Sequence, residues 1–486
     1  MDNFRLSNDG MTLEWVRDNI EHLEIPFGVK NIKDYVFYEN TSLVSIVIPN
    51  SVSAIGQGAF AKCTSLKSIV IPDGITEIAD FTFQDCKSLE ILNIPKNLKK
   101  IGSFAFSGTK WLEEKPNGEV YINNILCYYK GDVKESPLIV KDGTVSITGG
   151  AFYRCTSLKS IVIPNSVRHI GIGAFNFCTS LERIELPNKL TEICQGTFSG
   201  CTSLKSIDIP NSVIEIGGGA FSGCTSLKSI DIPHSVTTID DNAFSDCASI
   251  ESIDIPNSLE YIGAHAFAGC ISLHRIIIPS SIRYIGDYAL ERCPLFNILV
   301  NTDNPIYYSK NDILYKRMKG DKNILVKYAP MINGDTFFVD KSTIKLDGSA
   351  FMGAKKIKEI VLHDDITEFG GRRIFSGCTS LRTIRLPARL KVIPLETFAN
   401  CYSLETVYLP NSENYRIWME AFKGCVNLKE IHSQVENIDN IIIHNEAFDG
   451  FDLYNCTLYV PSGTRWAYRH HNGFGKFKNI EIEERQ

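Results

Sequence analysis

Apolar residues recur along this chain with a period of about 23 positions. Phe37, Phe60, Phe83 and Phe106 are 23 positions apart, and the same spacing joins the phenylalanines from Phe152 to Phe267. Before most aromatic positions the sequence follows the spacing Leu-x-x-Ile-x-Ile, as in Leu66-Lys-Ser-Ile69-Val-Ile71, in which the isoleucines take alternate positions, and a proline often follows. Alternation of period two predicts a short strand with every second side chain directed inward. The proline ends that strand because it has no N–H for the ladder.

The remainder of each repeat has mixed apolar spacing, as in Val213 to Phe221. This pattern predicts a compact return with little helix. Sixteen repeats are recognisable, and each leaves an apolar face that only its neighbours can cover. The sequence therefore predicts a β-rich stack of coils.

The repeated pattern Leu-x-x-Ile-x-Ile-Pro-x-x-Val-x-x-Ile-Gly-x-x-Ala-Phe-x-x-Cys resembles the BspA type of leucine-rich repeat over nearly the whole chain. That type occurs in surface proteins of gut and oral bacteria and in some parasitic protists. The residues from Cys456 to Ile480 are similar to the closing segment of such proteins from Bacteroidales. The resemblance implies a right-handed leucine-rich-repeat solenoid with a parallel concave sheet and little helix over residues 1–455, and a capping segment at 456–486. Members include adhesins, which implies a bacterial protein of the cell surface or of host interaction.

Two irregular stretches, 107–148 and 294–349, interrupt the register. Phe106 and Phe152 are 46 positions apart, twice 23, so a coil is kept there, and Asn123-Asn124 between two apolar runs predicts a hairpin. The second stretch does not fit a multiple of 23 and requires an insertion, part of which also resembles an insert seen in the family. Inserts in repeat arrays often serve binding. We therefore expect Tyr307, Tyr308 and Tyr315 to contribute to a binding surface.

Twelve of the fifteen cysteines occupy one position of the repeat, and the sequence contains no Cys-x-x-Cys. This pattern favours a buried, reduced column over a metal site. His470 and His471 have no third ligand in sight, so we predict no metal and no cofactor. The chain carries no Gly-x-Ser-x-Gly, His-Glu-x-x-His or P-loop motif. We predict no catalytic residues; the alternative is an enzyme or sensor with a composite site built across repeats.

A net charge of -6 over 486 residues provides no basic footprint, so nucleic acid is not an expected partner. No apolar run reaches about 20 residues, which argues against membrane insertion. Because no leader motif is recognisable, the sequence as written predicts an intracellular protein, or a surface or secreted one if a leader has been removed. The oligomeric state stays open.

The variable position within Ile-x-Ile is expected to point outward from the sheet. It is acidic in four successive repeats, at Glu185, Asp208, Asp231 and Asp254, and Arg183 and Arg275 flank this strip. Two interpretations remain: a solvated edge in which Lys205 and Lys228 relieve repulsion, or an acidic surface for a basic partner or a divalent cation. Arg385 and Tyr408 add further outward candidates. The expected partner is a protein ligand.

Overall fold

The computed structural model describes residues 3–332 and 334–483, which leaves residues 484–486 of the predicted capping segment outside the description. The chain forms two compact units, residues 1–247 and 248–486. Each unit is a β-solenoid in which coils of about 23 residues stack through parallel pairing of short strands. The β-rich solenoid is therefore confirmed.

The Ile-x-Ile segments form what we call the first sheet. Its register equals the repeat length, because Ser160 pairs with Arg183 and Ile161 with Ile184. In the first unit its strands are His22–Glu24, Ser45–Val47, Ser68–Val70, Ile91–Asn93, Leu138–Ile139, Ser160–Val162 and Arg183–Glu185. In the second unit they are Ser252–Ile253, Arg275–Ile278, Asn297–Val300, Thr336–Phe338, Glu359–Val361, Thr383–Arg385, Thr406–Tyr408, Glu430–His432, Thr457–Val460 and Asn479–Ile482.

A second sheet, which the sequence analysis did not predict, lies in the return of each coil. Its strands are mostly two residues long, and the inward residue is an isoleucine in most of them, as at Ile193 and Ile216. In the first unit they are Asn31–Ile32, Ala54–Ile55, Glu77–Ile78, Lys100–Ile101, Ser146–Ile147, His169–Ile170, Glu192–Ile193, Glu215–Ile216 and Thr238–Ile239. In the second unit they are Tyr261–Ile262, Tyr284–Ile285, Thr343–Leu346, Glu368–Phe369, Val392–Ile393, Arg416–Ile417 and Ile442–Ile443.

The core of each unit is a column of stacked aromatic rings. From Phe152 to Phe244 in the first unit, successive ring centroids are 5.0–5.5 Å apart, and from Phe351 to Phe448 in the second they are 5.3–5.7 Å apart. Offset stacks of this spacing are favourable beyond the apolar area that they bury. The repeated phenylalanine is therefore the framework residue of the coil.

The cysteine column is buried as predicted, and none of the fifteen cysteines, all within the described residues, is joined in a disulfide. Ten thiols of the column donate to a phenylalanine carbonyl of the preceding coil. For example, Cys178 Sγ lies 3.1 Å from Phe152 O, and Cys401 Sγ lies 3.1 Å from Phe375 O. A small side chain with a weak donor satisfies this buried carbonyl without adding bulk.

The first irregular stretch contains the predicted hairpin. Gly118–Ile122 pairs antiparallel with Ile125–Lys130 around Asn123, whose φ is 53°. The second of these strands then pairs in parallel with Ser146–Ile147. Tyr129 stacks on Phe152 at 5.5 Å, so it takes the position of the missing phenylalanine and keeps the coil.

The second irregular stretch is an antiparallel arrangement of Tyr307–Lys310, Ile313–Arg317 and Asn323–Tyr328. Its last strand rejoins the solenoid by parallel pairing with Thr343–Leu346. Tyr328 then stacks on Phe351 at 5.3 Å, as Tyr129 does on Phe152. A tyrosine thus restores the aromatic column after each interruption.

At the chain ends, other elements pack on the coils. Phe4–Leu6 pairs antiparallel with Thr12–Val16, which leads in parallel into Asn31–Ile32. Near the C-terminus, helix Arg465–His470 buries Tyr468, whose hydroxyl donates to Val435 O at 2.8 Å, and a 3-10 turn follows at Phe474–Lys476. The predicted boundary at 455/456 lies within the second unit. A short helix, Lys110–Glu113, precedes the first hairpin.

Candidate functional site

The acidic strip of the first unit is exposed at Glu185, Asp208 and Asp231. Asp208 and Asp231 stand directly opposite each other as an isolated parallel bridge. Arg183 pairs with Glu185 at 3.1 Å between Nη2 and Oε1. Lys205 does not relieve the strip as one interpretation expected, because its ammonium group pairs with Glu182 at 2.6 Å.

The first sheet weakens where these aspartates face each other. Regular strand pairing runs from Leu138–Ile139 to Arg183–Glu185, and the following coils of the unit contribute only the Asp208–Asp231 bridge among the described residues. Like charges directly opposite each other on paired strands are destabilising. The sequence predicted this repulsion, and the reduced pairing is consistent with it.

Asp254 and Arg275 belong to the second unit, where both are exposed. Arg275 lies opposite Ser252 on the neighbouring strand, and Ser252 is two positions before Asp254. Arg275 therefore belongs to a different row from Asp254. The strip as predicted from sequence therefore has three of its four carboxylates in the first unit.

The outward row of the second unit ends in a stack of flat side chains. The guanidinium carbon of Arg385 lies 4.1 Å from the Tyr408 ring centroid, Tyr408 lies 4.4 Å from His432, and His432 lies 4.7 Å from Tyr459. The parallel register places these residues opposite one another on successive strands. The structure thus brings the predicted residues Arg385 and Tyr408 together and adds two aromatic residues.

The prediction that Tyr307 and Tyr315 lie on a binding surface of the insert is wrong. Their exposed fractions are 1% and 2%, because the antiparallel strands turn both rings into the core. The Tyr307 hydroxyl accepts a hydrogen bond from Ile285 N at 2.9 Å. Tyr308 is half-buried, stacked on Tyr315 at 5.1 Å, with Arg317 4.8 Å from its ring centroid.

A groove of about 740 Å³ runs along the second sheet of the first unit. Its lining includes Gly196 and Gly219, both with φ of 61°. Other coils place phenylalanine in this left-handed slot, as at Phe81 and Phe104. The backbone conformation therefore does not require glycine here. Because glycine has no side chain, Gly196 and Gly219 leave unfilled the space that forms the groove.

Three groups of different chemistry converge in the wall of this groove: His169, Glu192 and Cys194. Glu192 Oε1 lies 3.6 Å from His169 Nδ1 and accepts a hydrogen bond from Cys194 Sγ at 3.3 Å. One ligand atom from each residue lies within 4.8 Å of the other two. We call this set the His–Glu–Cys cluster.

Burial governs the protonation of the cluster. It lowers the pKa of His169, against the opposing charge of Glu192, and so favours the neutral imidazole. It raises the pKa of the Cys194 thiol well above its usual range, with Glu192 adding to the effect. The cluster is not apparent from ligand spacing along the chain, because its ligands come from two successive coils.

The second unit has a groove of about 980 Å³ on its own second sheet, with a different lining. Arg372, Arg389 and Lys391 contribute positive charge, and the Trp418 ring is 45% exposed. Tyr288 accepts a hydrogen bond from Arg372 N at 2.8 Å and packs under the guanidinium at 5.2 Å. This groove suits an anionic or aromatic group.

The sequence matches the family described as "BspA type Leucine rich repeat region" over residues 15–119, 120–250, 195–312 and 332–459. This chain belongs to the BspA-type leucine-rich-repeat family. Among curated proteins, none matches it. None of the helices in the described part of this BspA-type protein is long and apolar enough to cross a membrane.

Several solved structures are similar to this BspA-type chain. A leucine-rich cell surface protein from Faecalibacterium prausnitzii shares 21% identity at a TM-score of 0.49, over 99% of this chain and 93% of that one. A leucine-rich-repeat protein from Bacteroides ovatus shares 24% identity at a TM-score of 0.34, over 92% and 99% of the respective chains. One from Eubacterium ventriosum shares 20% identity at a TM-score of 0.45, over 68% and 91%.

Proposed function

We propose that this protein is a non-enzymatic binding module that presents the outward row of its first sheet to a protein ligand. The observation that carries the proposal is the contrast between framework and outward positions. Inward positions repeat one chemistry, whereas the outward row changes from paired aspartates to an Arg–Tyr–His–Tyr stack. Stacking requires the inward residues but does not require a particular outward residue, so the outward row is free to specify a ligand.

The negative charge of the outward row specifies the class of ligand that we propose. Asp208 and Asp231 are exposed carboxylates on adjacent coils, close enough to engage one basic segment together. Complementary charge of this kind contributes to specificity and to association rate. We infer a ligand with a lysine- or arginine-rich segment, and we place the protein's action at the bacterial cell surface by analogy with its family.

The test uses calorimetry with an oligolysine peptide as the probe and an oligoglutamate peptide as its counterpart. We expect oligolysine to bind wild-type protein at low salt and more weakly as salt rises, since exposed charges are screened beyond about 8 Å at physiological ionic strength. The double variant Asp208→Lys/Asp231→Lys should bind at least about tenfold more weakly, because two exposed attractions become repulsions.

The matched control is Asp18→Lys/Asp73→Lys, which makes the same charge change at exposed positions outside the strip. Equal loss in both double variants would show that net charge and not the strip governs binding. Equal affinity of wild type and the Asp208/Asp231 variant would remove the strip as a ligand surface.

A further inference from the structure

We propose that the His–Glu–Cys cluster is a binding site for a divalent transition metal of the Zn²⁺ class. The proposal goes beyond protein binding by the first sheet, because the cluster lies on the second sheet and faces the groove of the first unit. It also departs from the sequence analysis, which predicted no metal.

The distances within the cluster are close to those of a tetrahedral zinc site. Zinc bonds of about 2.05 Å to nitrogen, 2.1 Å to oxygen and 2.3 Å to sulfur place neighbouring ligands about 3.4 Å apart for N and O and about 3.6 Å apart for S and O. The observed separations are 3.6 Å for His169 Nδ1 to Glu192 Oε1 and 3.3 Å for Cys194 Sγ to Glu192 Oε1. These two separations need shifts of only a few tenths of an ångström. The third pair, a ring nitrogen of His169 and Cys194 Sγ, lies within 4.8 Å and would come to about 3.6 Å in a tetrahedral site.

The repeat itself places the three ligands together. His169 and Glu192 begin the second-sheet strands of successive coils, so they are 23 positions apart and neighbours in space. Cys194 is two positions after Glu192 and therefore on the same side of an extended chain. It stands where the neighbouring coils have Gly171 and Gly217, and it is the one cysteine of the sequence at this repeat position.

The surroundings favour binding at this point. The second-sheet ladder is interrupted between His169–Ile170 and Glu192–Ile193, which belong to different sheets in the described part of the first unit. Cys194 is outside the cysteine column, and its thiol points at a carboxylate, whereas the column thiols point at main-chain carbonyls. A carboxylate that is shared by an imidazole and a thiol concentrates three donor atoms at one place.

The donor set also selects the metal. Thiolate and imidazole favour zinc and the later first-row metals, whereas Mg²⁺ and Ca²⁺ prefer oxygen ligands alone. Three protein ligands with a fourth position open toward a cavity is the composition of zinc sites that bind water or a further ligand. Binding requires loss of the thiol proton, so affinity should fall at low pH and metal uptake should release protons.

The test uses full-length protein freed of metal with a chelator. Zn²⁺ is titrated by calorimetry and Co²⁺ by absorption spectroscopy. We expect a single equivalent of each metal to bind, with a thiolate-to-cobalt charge-transfer band in the near ultraviolet, and no competition from excess Mg²⁺ or Ca²⁺. Cys194→Ser should remove that band and weaken Zn²⁺ binding by more than about 100-fold, since even outer partners of zinc ligands contribute 10–100-fold.

His169→Gln and Glu192→Gln provide independent tests should Cys194→Ser not fold, and circular dichroism reports folding of each variant. Glu215→Gln is the matched control, because Glu215 pairs with Glu192 in the same row and lines the same groove but is outside the cluster. Unchanged Zn²⁺ affinity in Cys194→Ser and His169→Gln, or a cobalt complex without the charge-transfer band, would overturn the proposal. Equal loss in Glu215→Gln would do so as well, because it would show acidic attraction without a defined site.

Discussion

Two stretches of the outward row, Asp208–Asp231 in the first unit and Arg385–Tyr459 in the second, occupy the same position of the repeat but lie over different strand pairing. In the first unit, aspartates face each other and regular pairing is reduced to the isolated bridge of Asp208 and Asp231. In the second, the row from Arg385 to Tyr459 stacks at 4.1–4.7 Å over a seven-stranded sheet.

We infer that the spacing between strands contributes to this difference. Neighbouring strands are about 4.8 Å apart, which suits stacked rings and places like charges in repulsion. The inward residues of both rows are buried isoleucine, valine or leucine, as at Ile207, Ile230 and Val407. We therefore expect the outward residues to contribute to the contrast, and substitution can test this in both units.

The largest effect should come from the shared framework. Phe221→Ala in the first unit and Phe398→Ala in the second each remove a fully buried ring from the aromatic column, which costs about 3–5 kcal/mol. We expect equal losses, measured by hydrogen exchange of the coils adjacent to each substitution. A much smaller loss at Phe221 would mean that the two cores differ, and the contrast could then no longer be assigned to the outward rows.

A smaller effect should follow from breaking the stack. Tyr408→Ala removes the contacts with Arg385 and His432 and should destabilise the second unit by about 1–2 kcal/mol. Denaturant unfolding of the variant gives the value. Tyr402→Ala is the control in the same coil, because Tyr402 is 48% exposed, and its cost should stay within about 0.5 kcal/mol. Equal costs for the two would show that the stack adds nothing.

The smallest effect should have the opposite sign. Asp208→Asn removes the repulsion with Asp231 and should stabilise the first unit by about 0.2–1 kcal/mol at low salt. Slower hydrogen exchange at Ile207 and Ile209 is the local measurement, and added salt should shrink the gain. Asp73→Asn, an exposed turn residue of the same unit, is the control. Destabilisation by Asp208→Asn would indicate that the carboxylate has a favourable structural partner.

The sequence predicted the framework well, because framework positions depend only on nearest neighbours. Phe175, Cys178 and Leu181 repeat at 23 positions and are all buried, as the pattern requires. The hairpin at Asn123 was also predictable, since its turn chemistry is local. The second sheet was not predicted, because a two-residue strand offers too short a pattern for periodicity to reveal.

Predictions about function depended on contacts between side chains, which the 23-residue repeat register alone does not determine. Tyr307 and Tyr315 were expected on a loop, but antiparallel pairing within the insert turned them inward. The sequence does contain a signal for the His–Glu–Cys cluster, because His169 and Glu192 are 23 positions, or one repeat, apart. A comparison of the residues at the same outward position of successive repeats places His169 and Glu192 side by side.

The thiol–carbonyl bonds and stacked rings have a mechanical consequence. In the middle of the first unit, successive coils are joined by a ring contact, a cysteine hydrogen bond, main-chain hydrogen bonds of the turns and short ladders, as between the coils of Phe198 and Phe221. Under tension applied at its ends, such a unit should yield one coil at a time. Each step would release about 75 Å of chain, the extended length of 23 residues. A force–extension trace would then show evenly spaced, low peaks, and the unit would absorb load gradually.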